Sequence, residues 1–220
     1  MNVTKEQRSI GTLFIISAPS GTGKTTLAKR LVKLVPDLVL SRSYTSRAAR
    51  AEERDGIDYN FVSRQEFEEM DTRNLFLEWA EIFGELYGTA LIDAERELAK
   101  GRSALLVINV DGARQLMDRG YKVVKIFVLP PSLLELEIRL RHRNPDMKNV
   151  DMNQRLDIAK REIKACKEYD HIVVNDDLDE CINELRTIVI GGETDLGNGT
   201  KDADKILSRF TAEVQDLDPS

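Results

Sequence analysis

Residues 15–27 read IISAPSGTGKTTL, and this stretch decides the fold. The positions from Ala18 to Thr25 fit the pattern GxxxxGK[ST], except that alanine stands where the pattern begins with glycine. An apolar run at 13–16 comes before the loop, and apolar residues at helical spacing follow it until Pro36. A strand, a glycine-rich turn and a helix in this order predict a phosphate-binding loop.

The residue types in this loop suit a chain of phosphates. Gly21 and Gly23 let backbone N–H groups converge on anionic oxygens, and the helix that begins near Lys24 adds its positive end. Lys24 is expected to reach the outer phosphates, and the Thr25 hydroxyl is expected to bind Mg²⁺. The predicted ligand is a nucleoside triphosphate with Mg²⁺. The predicted loop contacts are Ala18, Pro19, Ser20, Gly21, Thr22, Gly23, Lys24, Thr25 and Thr26.

Further apolar runs predict the sheet that carries this loop. Continuous runs lie at 103–110, 122–129 and 171–174. Helical patterns lie between and beside them, at 89–100, 112–118, 132–143, 151–168 and 178–190. Apolar strands that alternate with helices are typical of a parallel sheet covered on both faces. The predicted fold class is therefore α/β, with a parallel sheet of the P-loop type and helices on both sides.

Three segments do not fit this alternation. Residues 41–89 alternate polar with aromatic residues around one helix, for which Ser63 and Glu66 form a capping box, and predict a small mixed insertion. The polar residues 144–153 are expected to form a mobile flap. From Gly191 the composition is that of a linker, and apolar residues at helical spacing over 203–217 predict either a docked amphipathic helix or a mobile end.

Composition excludes several classes of function. The chain has 220 residues and a net charge of -6, so general binding to nucleic acid is not expected. No apolar run approaches the roughly 20 residues that cross a bilayer, and the first residues do not resemble a secretory signal. The two cysteines, Cys166 and Cys181, lie far apart. These features predict a cytoplasmic protein with small-molecule substrates and no membrane partner.

A polar segment after the loop carries a candidate acceptor site. Arg47 and Arg50 lie three residues apart, and Tyr59 follows. Two guanidinium groups and a phenol hydroxyl suit a phosphate monoester dianion. By itself this pattern is more often that of a solvated basic stretch.

Several motifs together resemble the guanylate kinase family. They occur in the family's order and near its spacing, over about residues 11–190. They are the phosphate loop, SRSYTSRAARAEERDGIDYNF at 41–61, FLEWA at 76–80, YGT at 87–89, PPS at 130–132, RLRHR at 139–143 and VNDD at 174–177.

The resemblance implies transfer of the γ-phosphate of ATP to GMP. It also implies a core built from 11–40, 90–138 and 156–190, a GMP-binding insertion at 41–89 and a lid at 139–155. Residues 191–220, the linker and tail, lie outside it. The core, insertion and lid are expected to close on the two nucleotides and exclude water.

The resemblance also implies roles for individual residues. Those expected to hold the GMP phosphate are Arg47, Arg50, Tyr59 and Tyr87, and those expected near the guanine are Ser43, Glu78, Thr89 and Asn109. Guanine presents N1–H and the N2 amine side by side, so one carboxylate accepts both. Adenine has an acceptor at N1 and would place a lone pair against the same carboxylate.

The lid arginines are expected to perform the transfer. The resemblance places Arg139, Arg143 and Arg155 around the triphosphate and the transferring group, where they would stabilise charge spread over oxygens. Asn175 is expected to contact adenine. The flap is one residue longer than is usual in the family, which shifts the spacing of Arg155.

One stretch departs from the family. Where the family has an acidic pair at the end of a strand, this chain has Val107 and Asn109. If the strand ran through 103–110, Asp111 would lie one pleat further on and point elsewhere. A lower rate and a weaker grip on GMP are therefore expected.

Two other functions remain open from the sequence. The first is a kinase for another nucleoside monophosphate, against which Glu78 argues. The second is a guanylate-kinase-like module that binds a phosphorylated protein without catalysis. Such modules typically lack an intact phosphate loop, which this chain has, and only the missing acids at 107 and 109 favour that reading.

Overall fold

A computed structural model of the chain describes residues 11–191 together with Ser208 and Phe210. The strands are β1 (Leu13–Ser17), β2 (Leu38–Leu40), β3 (Ser43–Thr45), β4 (Asn60–Phe61), β5 (Phe76–Ile82), β6 (Glu85–Ala90), β7 (Ser103–Val107), β8 (Val123–Leu129) and β9 (His171–Val174). The helices are α1 (Lys24–Leu34), α2 (Arg64–Thr72), α3 (Leu91–Ala99), α4 (Val110–Asp118), α5 (Leu133–Arg143), α6 (Asn149–Lys164) and α7 (Leu178–Gly191), with a short 3-10 helix at Ala165–Glu168.

The larger sheet is parallel and has the order β2-β7-β1-β8-β9. Side chains along β1 alternate between its faces, so each face receives an apolar layer. Leu13 and Ile15 pack with residues of α4 and α6, whereas Phe14 and Ile16 pack with α1 and α7. The α/β fold predicted from the apolar runs is confirmed. The runs at 122–129 and 171–174 became β8 and β9 within one residue at each end.

A smaller mixed sheet has the order β4-β3-β6-β5. Strand β6 is antiparallel to both β3 and β5, and β3 is parallel to β4. Helix α2 covers this sheet through Phe67, which stacks on Phe76. The capping box predicted at Ser63 and Glu66 is present at the N-terminus of α2.

Three details of the predicted elements were wrong. The predicted strand over 103–110 ends at Val107, because Asn109 caps α4 by accepting a hydrogen bond from the Gly112 N–H. Asp111 therefore lies on a helix and not one pleat further along a strand. Helix α6 begins at Asn149, two residues before the predicted helix over 151–168, so its first turn lies within the predicted flap. Strand β2 was missed because it has only three residues.

The predicted linker and tail fall almost entirely outside the described residues. Gly191 still belongs to α7, so the linker composition begins within the last turn of that helix. Phe210 is buried in the apolar layer that contains Tyr169. Among the helices that the structure describes, none is both long and apolar enough to cross a membrane.

Candidate active site

The phosphate loop connects β1 to α1, as predicted. Gly21 and Gly23 have φ angles of 94° and 101°, in the region that only glycine adopts at low cost. A side chain at Gly21 would press against Leu140 of α5, and one at Gly23 would meet the Asn175 amide at 2.9 Å. The loop is therefore shaped by its own backbone and by two neighbouring elements.

Lys24 folds back onto the loop. Its ammonium group donates to the Ala18 carbonyl and, over 3.2 Å, to the Pro19 carbonyl. Loss of water around this group lowers its pKa, the Glu162 carboxylate opposes that effect, and the Arg143 cation adds to it. Both of these hydrogen bonds go to neutral carbonyls, so the charge of the ammonium group is available to a phosphate oxygen.

A cavity of about 640 Å³ opens in front of the loop. Loop residues from Pro19 to Thr26, except the buried Thr22, line one side of it, and most of the predicted phosphate-binding residues line the rest. These are Arg47, Arg50, Tyr59, Tyr87, Arg139 and Arg143. Two separate parts of the chain, the segment of Arg47 and Arg50 and helix α5, thus bring their arginines to the same space as the loop.

Arg47 is held in place by the Ala48 carbonyl, to which it donates at 2.7 Å, and by two side chains. Its Nε donates to the Tyr87 hydroxyl at 3.1 Å, and its outer nitrogen donates to both Glu53 oxygens at 2.9 and 2.8 Å. Glu53 also accepts from the Arg50 backbone N–H at 2.9 Å. The sequence prediction missed Glu53, which fixes the spacing of the two arginines.

A second cavity of about 200 Å³ adjoins the first and shares Lys24 and Thr25 with it. The predicted guanine residues Ser43, Glu78 and Asn109 line it. Glu78 is only 3% exposed, and burial raises the pKa of its carboxyl to about 7.

Thr89 lies opposite Glu78 in the β5–β6 pair. Hydrogen bonds from its hydroxyl and backbone N–H favour the charged form of the Glu78 carboxylate and so oppose the effect of burial on its pKa. Thr89 itself is buried, so its evident contact is with Glu78. A side chain at Gly112 would overlap Glu78 Oε2, which shows how closely the start of α4 approaches this carboxylate.

Arg155 reaches the smaller cavity despite the longer flap. It lies on α6, and its guanidinium stacks over the ring of Phe83 with Cζ 4.3 Å from the ring centroid. Loss of water lowers the pKa of Arg155, and the cations of Arg143 and Arg50 lower it further. Three cations that repel one another in this way would be stabilised by a shared anion.

Arg139 on α5 and Asn175 after β9 form a chain of hydrogen bonds to the loop. Arg139 donates to Glu135 at 2.8 Å and to the Asn175 carbonyl at 3.1 Å. The buried Asn175 amide donates to the Thr22 carbonyl at 2.6 Å. The Asn175 side chain therefore contacts the phosphate loop in this structure, and its expected contact with adenine stays a prediction.

Glu162 is a further acid in the smaller cavity that the sequence prediction missed. It lies seven residues after Arg155 on α6, a spacing that places both on one helix face and was the available signal. Desolvation raises the pKa of Glu162, and Lys24 opposes that effect. This carboxylate lies in the same space as Val107 and Asn109, where the family's acidic pair is missing.

Metal ligands supplied by the protein are few. Within the part of the chain that the structure describes, no group of three or more His, Cys, Asp or Glu side chains could enclose a metal ion. Thr25 lines both cavities. This arrangement fits Mg²⁺, which usually keeps several waters and takes other ligands from substrate phosphates.

Comparisons with known proteins identify the family. The guanylate kinase family model matches residues 10–191. The chain belongs to the guanylate kinase family. It is 48% identical over 179 residues to guanylate kinase of Nitrosospira multiformis, an alignment that covers 81% of this chain and 85% of that relative. It is 44% identical over 180 residues to guanylate kinase of Syntrophotalea carbinolica, covering 82% and 85%.

A solved structure agrees with this assignment. The crystal structure of guanylate kinase from Anaplasma phagocytophilum matches with a TM-score of 0.70 and 34% identity, over 89% of this chain and 94% of that one. The resemblance inferred from the ordered motifs is thereby confirmed. In this guanylate kinase family member, the family match runs from just before β1 to the end of α7.

Proposed function

We propose that the chain transfers the γ-phosphoryl group of ATP to GMP, giving ADP and GDP. The observation that carries this proposal is the pair of adjoining cavities that share Lys24 and Thr25, one lined by arginines and the other holding buried Glu78. Family membership and relatives named guanylate kinase support the same reaction.

The smaller cavity would select guanine. The Glu78 carboxylate would accept guanine N1–H and N2–H together, and Thr89 would hold its orientation. Adenine would leave a buried carboxylate facing a lone pair, at a cost in binding that a polar site cannot recover. Ser43 and Asn109 line the same space and would contact the base edge.

The arginines would hold the acceptor phosphate and the triphosphate. Arg47, Arg50, Tyr59 and Tyr87 would bind the GMP phosphate. The loop backbone with Lys24 would bind ATP, and Asn175 would contact its adenine. Charge-assisted and bidentate hydrogen bonds of this kind are the strong ones.

The transfer itself needs positioned charge. A GMP phosphate oxygen attacks the γ-phosphorus as the bond to the bridging oxygen of ADP breaks. Arg139, Arg143 and Arg155 would stabilise the charge that spreads over the phosphoryl oxygens. When bound, Mg²⁺ would neutralise phosphate charge, with Thr25 as its ligand from the protein.

A three-part division supports the reaction. The core comprises 11–40, 90–138 and 156–190, the insertion 41–89 and the lid 139–155. Insertion and lid would close over both nucleotides, because an open site would let water accept the phosphoryl group.

A coupled assay for ADP tests the proposal. ATP and Mg²⁺ are supplied with GMP, AMP, dTMP or UMP in turn, and the Lys24→Ala variant serves as the loop control. We expect turnover with GMP far above the other acceptors and none in the variant. Faster turnover with another monophosphate would mean that GMP is not the acceptor. Tight GMP binding without ADP release would indicate a binding module.

A further inference from the structure

Strand β5, which carries Glu78, lies at the edge of the smaller sheet. One edge of β5 pairs with β6, and its outer edge faces α4, the helix that packs on the larger sheet. The pairing of β5 with β6 shifts by one residue between Phe76 and Glu78, so β5 contains a β-bulge immediately before Glu78. Bulges often re-aim a side chain, and they leave backbone groups that need other partners.

Gln115 supplies partners on one side of Glu78. Its amide nitrogen donates to the Trp79 carbonyl at 2.7 Å, and its amide oxygen accepts from the Trp79 N–H at 3.2 Å. A neighbouring strand would make the same pair of bonds to one residue. A single side chain of α4 thus takes the place of a strand at this point.

Arg119 supplies partners on the other side. One of its terminal nitrogens donates to the Phe76 carbonyl at 2.8 Å and to the Leu77 carbonyl at 3.0 Å. Two successive carbonyls point toward the same donor because the bulge interrupts the usual alternation. Gln115 lies on α4 and Arg119, four residues later, is its C-cap residue with helical backbone angles, so both side chains lie on one face of the helix.

The same helix also meets the carboxylate directly. Asn109 caps α4, and Gly112 in its first turn leaves space for Glu78 Oε2. Helix α4 and its C-cap therefore contact β5 at three places around Glu78. These places are the carboxylate oxygen of Glu78, the residue after it and the two residues before it.

We infer that Gln115 and Arg119 are positioning residues that hold the bulge of β5 on α4 and so aim Glu78 at the guanine. This inference rests on the proposed function, because it assigns the base-reading step to Glu78. Neither side chain lines either cavity, so neither is expected to touch a nucleotide.

The test compares variants that remove these bonds with variants that keep them. Gln115→Met preserves length and helix propensity but removes both bonds to Trp79. Arg119→Met removes the bonds to the bulge together with a cation that lowers the pKa of Glu78, whereas Arg119→Lys retains that charge. Arg114→Met is the matched control, because Arg114 lies on the same helix and pairs with Glu168 instead of β5.

Steady-state kinetics with GMP, AMP and ATP give the decisive readout. We expect Gln115→Met and Arg119→Met to raise the KM for GMP roughly tenfold and to lower the ratio of GMP to AMP turnover, with the KM for ATP little changed. Arg119→Lys should recover part of the loss, and Arg114→Met should behave like the wild type.

Several outcomes would overturn the inference. Folded Gln115→Met with wild-type GMP kinetics and purine preference would do so, as would equal losses for ATP and GMP. If Gln115→Met does not fold, Arg119→Lys decides the question alone, because it keeps the charge that lowers the pKa of Glu78 but lacks the planar guanidinium that reaches both carbonyls. Full wild-type GMP kinetics in Arg119→Lys would then overturn the inference. A wild-type enzyme without GMP turnover would contradict the proposed function instead, so the two failures are distinguishable.

Discussion

Glu78 is the residue at which binding and folding conflict. A carboxylate that is 3% exposed has lost its water, and hydrogen bonds from Thr89 only partly replace it. Burial therefore raises the pKa of this carboxyl from 4.5 to about 7. At about 1.4 kcal/mol per pKa unit, the charged form destabilises the folded state by on the order of 3 kcal/mol.

The pH dependence of stability follows from that pKa. The folded state keeps the Glu78 proton to higher pH than the unfolded state does. The stability of the folded state is therefore highest, as far as Glu78 determines it, below pH 4.5, and it falls as the pH rises to about 7. We expect Glu78→Gln to lack this loss. The unfolding free energy of the variant minus that of the wild type should therefore rise by on the order of 3 kcal/mol between pH 4.5 and pH 8. Urea unfolding without nucleotide measures this difference. Parallel pH profiles for the two proteins would contradict it.

Asn109 has two tasks that aspartate could also perform. Its oxygen caps α4 at 2.9 Å from the Gly112 nitrogen, and aspartate is an equally good N-cap. A carboxylate here would accept a guanine N–H with charge assistance, stronger by about 1 kcal/mol. We expect Asn109→Asp to lower the KM for GMP about fivefold at pH 8, with little change for ATP.

The same substitution should behave differently in mild acid. The new carboxylate would share a cavity with Glu78 and raise the pKa of Glu78 further by like-charge repulsion. Steady-state kinetics at pH 8 and pH 6.5 should therefore show the gain only at the higher pH. An unchanged or raised KM at pH 8 would mean that residue 109 does not touch the guanine.

At the scale of elements, α4 shows where sequence patterns stop being informative. Apolar runs located β1, β8 and β9 because a buried parallel strand has a continuous signature. The run at 103–110 continued across the start of α4, since Ile108 and Val110 are buried in the core like strand residues. Asn109 was a helix-capping signal in the sequence, but the apolar residues on either side concealed it.

The candidate site likewise contains residues that the sequence predicted and residues that it did not. Its loop was predictable because the phosphate-binding motif is local in sequence, and its arginines were found through the family's ordered motifs. Gln115 and Glu162 were missed because their importance depends on packing between elements that are distant in sequence. No local sequence pattern predicts that the Gln115 amide on α4 contacts the outer edge of β5.

Gly112 provides a test of how closely α4 must approach Glu78. It has an ordinary helical backbone, so alanine is favoured there by helix propensity of about 1 kcal/mol. The added methyl group would overlap Glu78 Oε2, the free end of a flexible side chain, which can move aside. We expect Gly112→Ala to fold normally and keep its KM for ATP, while the KM for GMP rises roughly tenfold.

The control for this prediction is Gly120→Ala, at the other end of α4. A methyl group at Gly120 would meet no neighbour, but its φ of 78° makes alanine costly there. Gly120→Ala should therefore lower stability without a selective effect on GMP. Wild-type GMP kinetics in a stable Gly112→Ala variant would show that the approach of α4 does not position the carboxylate.

At the scale of the whole molecule, charge is separated between surface and site. The net charge is -6, yet the two cavities collect Lys24 and several arginines. In the larger cavity these cations outnumber the acids Glu52, Glu53 and Asp58, and a cleft with such an excess of one sign of charge concentrates ligands of the opposite sign. The proposed anionic substrates are therefore drawn to the cleft of an otherwise acidic protein.

Contacts between distant segments hold this cleft together. An ion pair between Lys29 and Asp58 joins α1 to the insertion, and the stacking of Arg155 on Phe83 joins α6 to the turn between β5 and β6. Phe83 has a φ of 53°, which is uncommon for a residue other than glycine. The turn keeps a large aromatic ring at a position where glycine would be easier to place.

We expect Phe83 to hold Arg155 ready for the transfer step. A cation–π contact of this kind contributes about 0.5–2 kcal/mol. Phe83→Leu should therefore lower kcat roughly threefold to tenfold with smaller changes in either KM, whereas Phe83→Tyr keeps the ring and should stay near wild type. Leucine and tyrosine meet the same backbone strain at this φ, so the comparison isolates the ring.

A double-mutant cycle completes this test. Arg155→Met alone should lower kcat more than Phe83→Leu, because it removes the cation itself from the reacting phosphates. If the ring acts only through that cation, Phe83→Leu should have almost no further effect when Arg155 is already methionine. Additive losses in the double variant, or equal kinetics for Phe83→Leu and Phe83→Tyr, would instead make Phe83 a packing residue of the turn and leave Arg155 positioned by α6 alone.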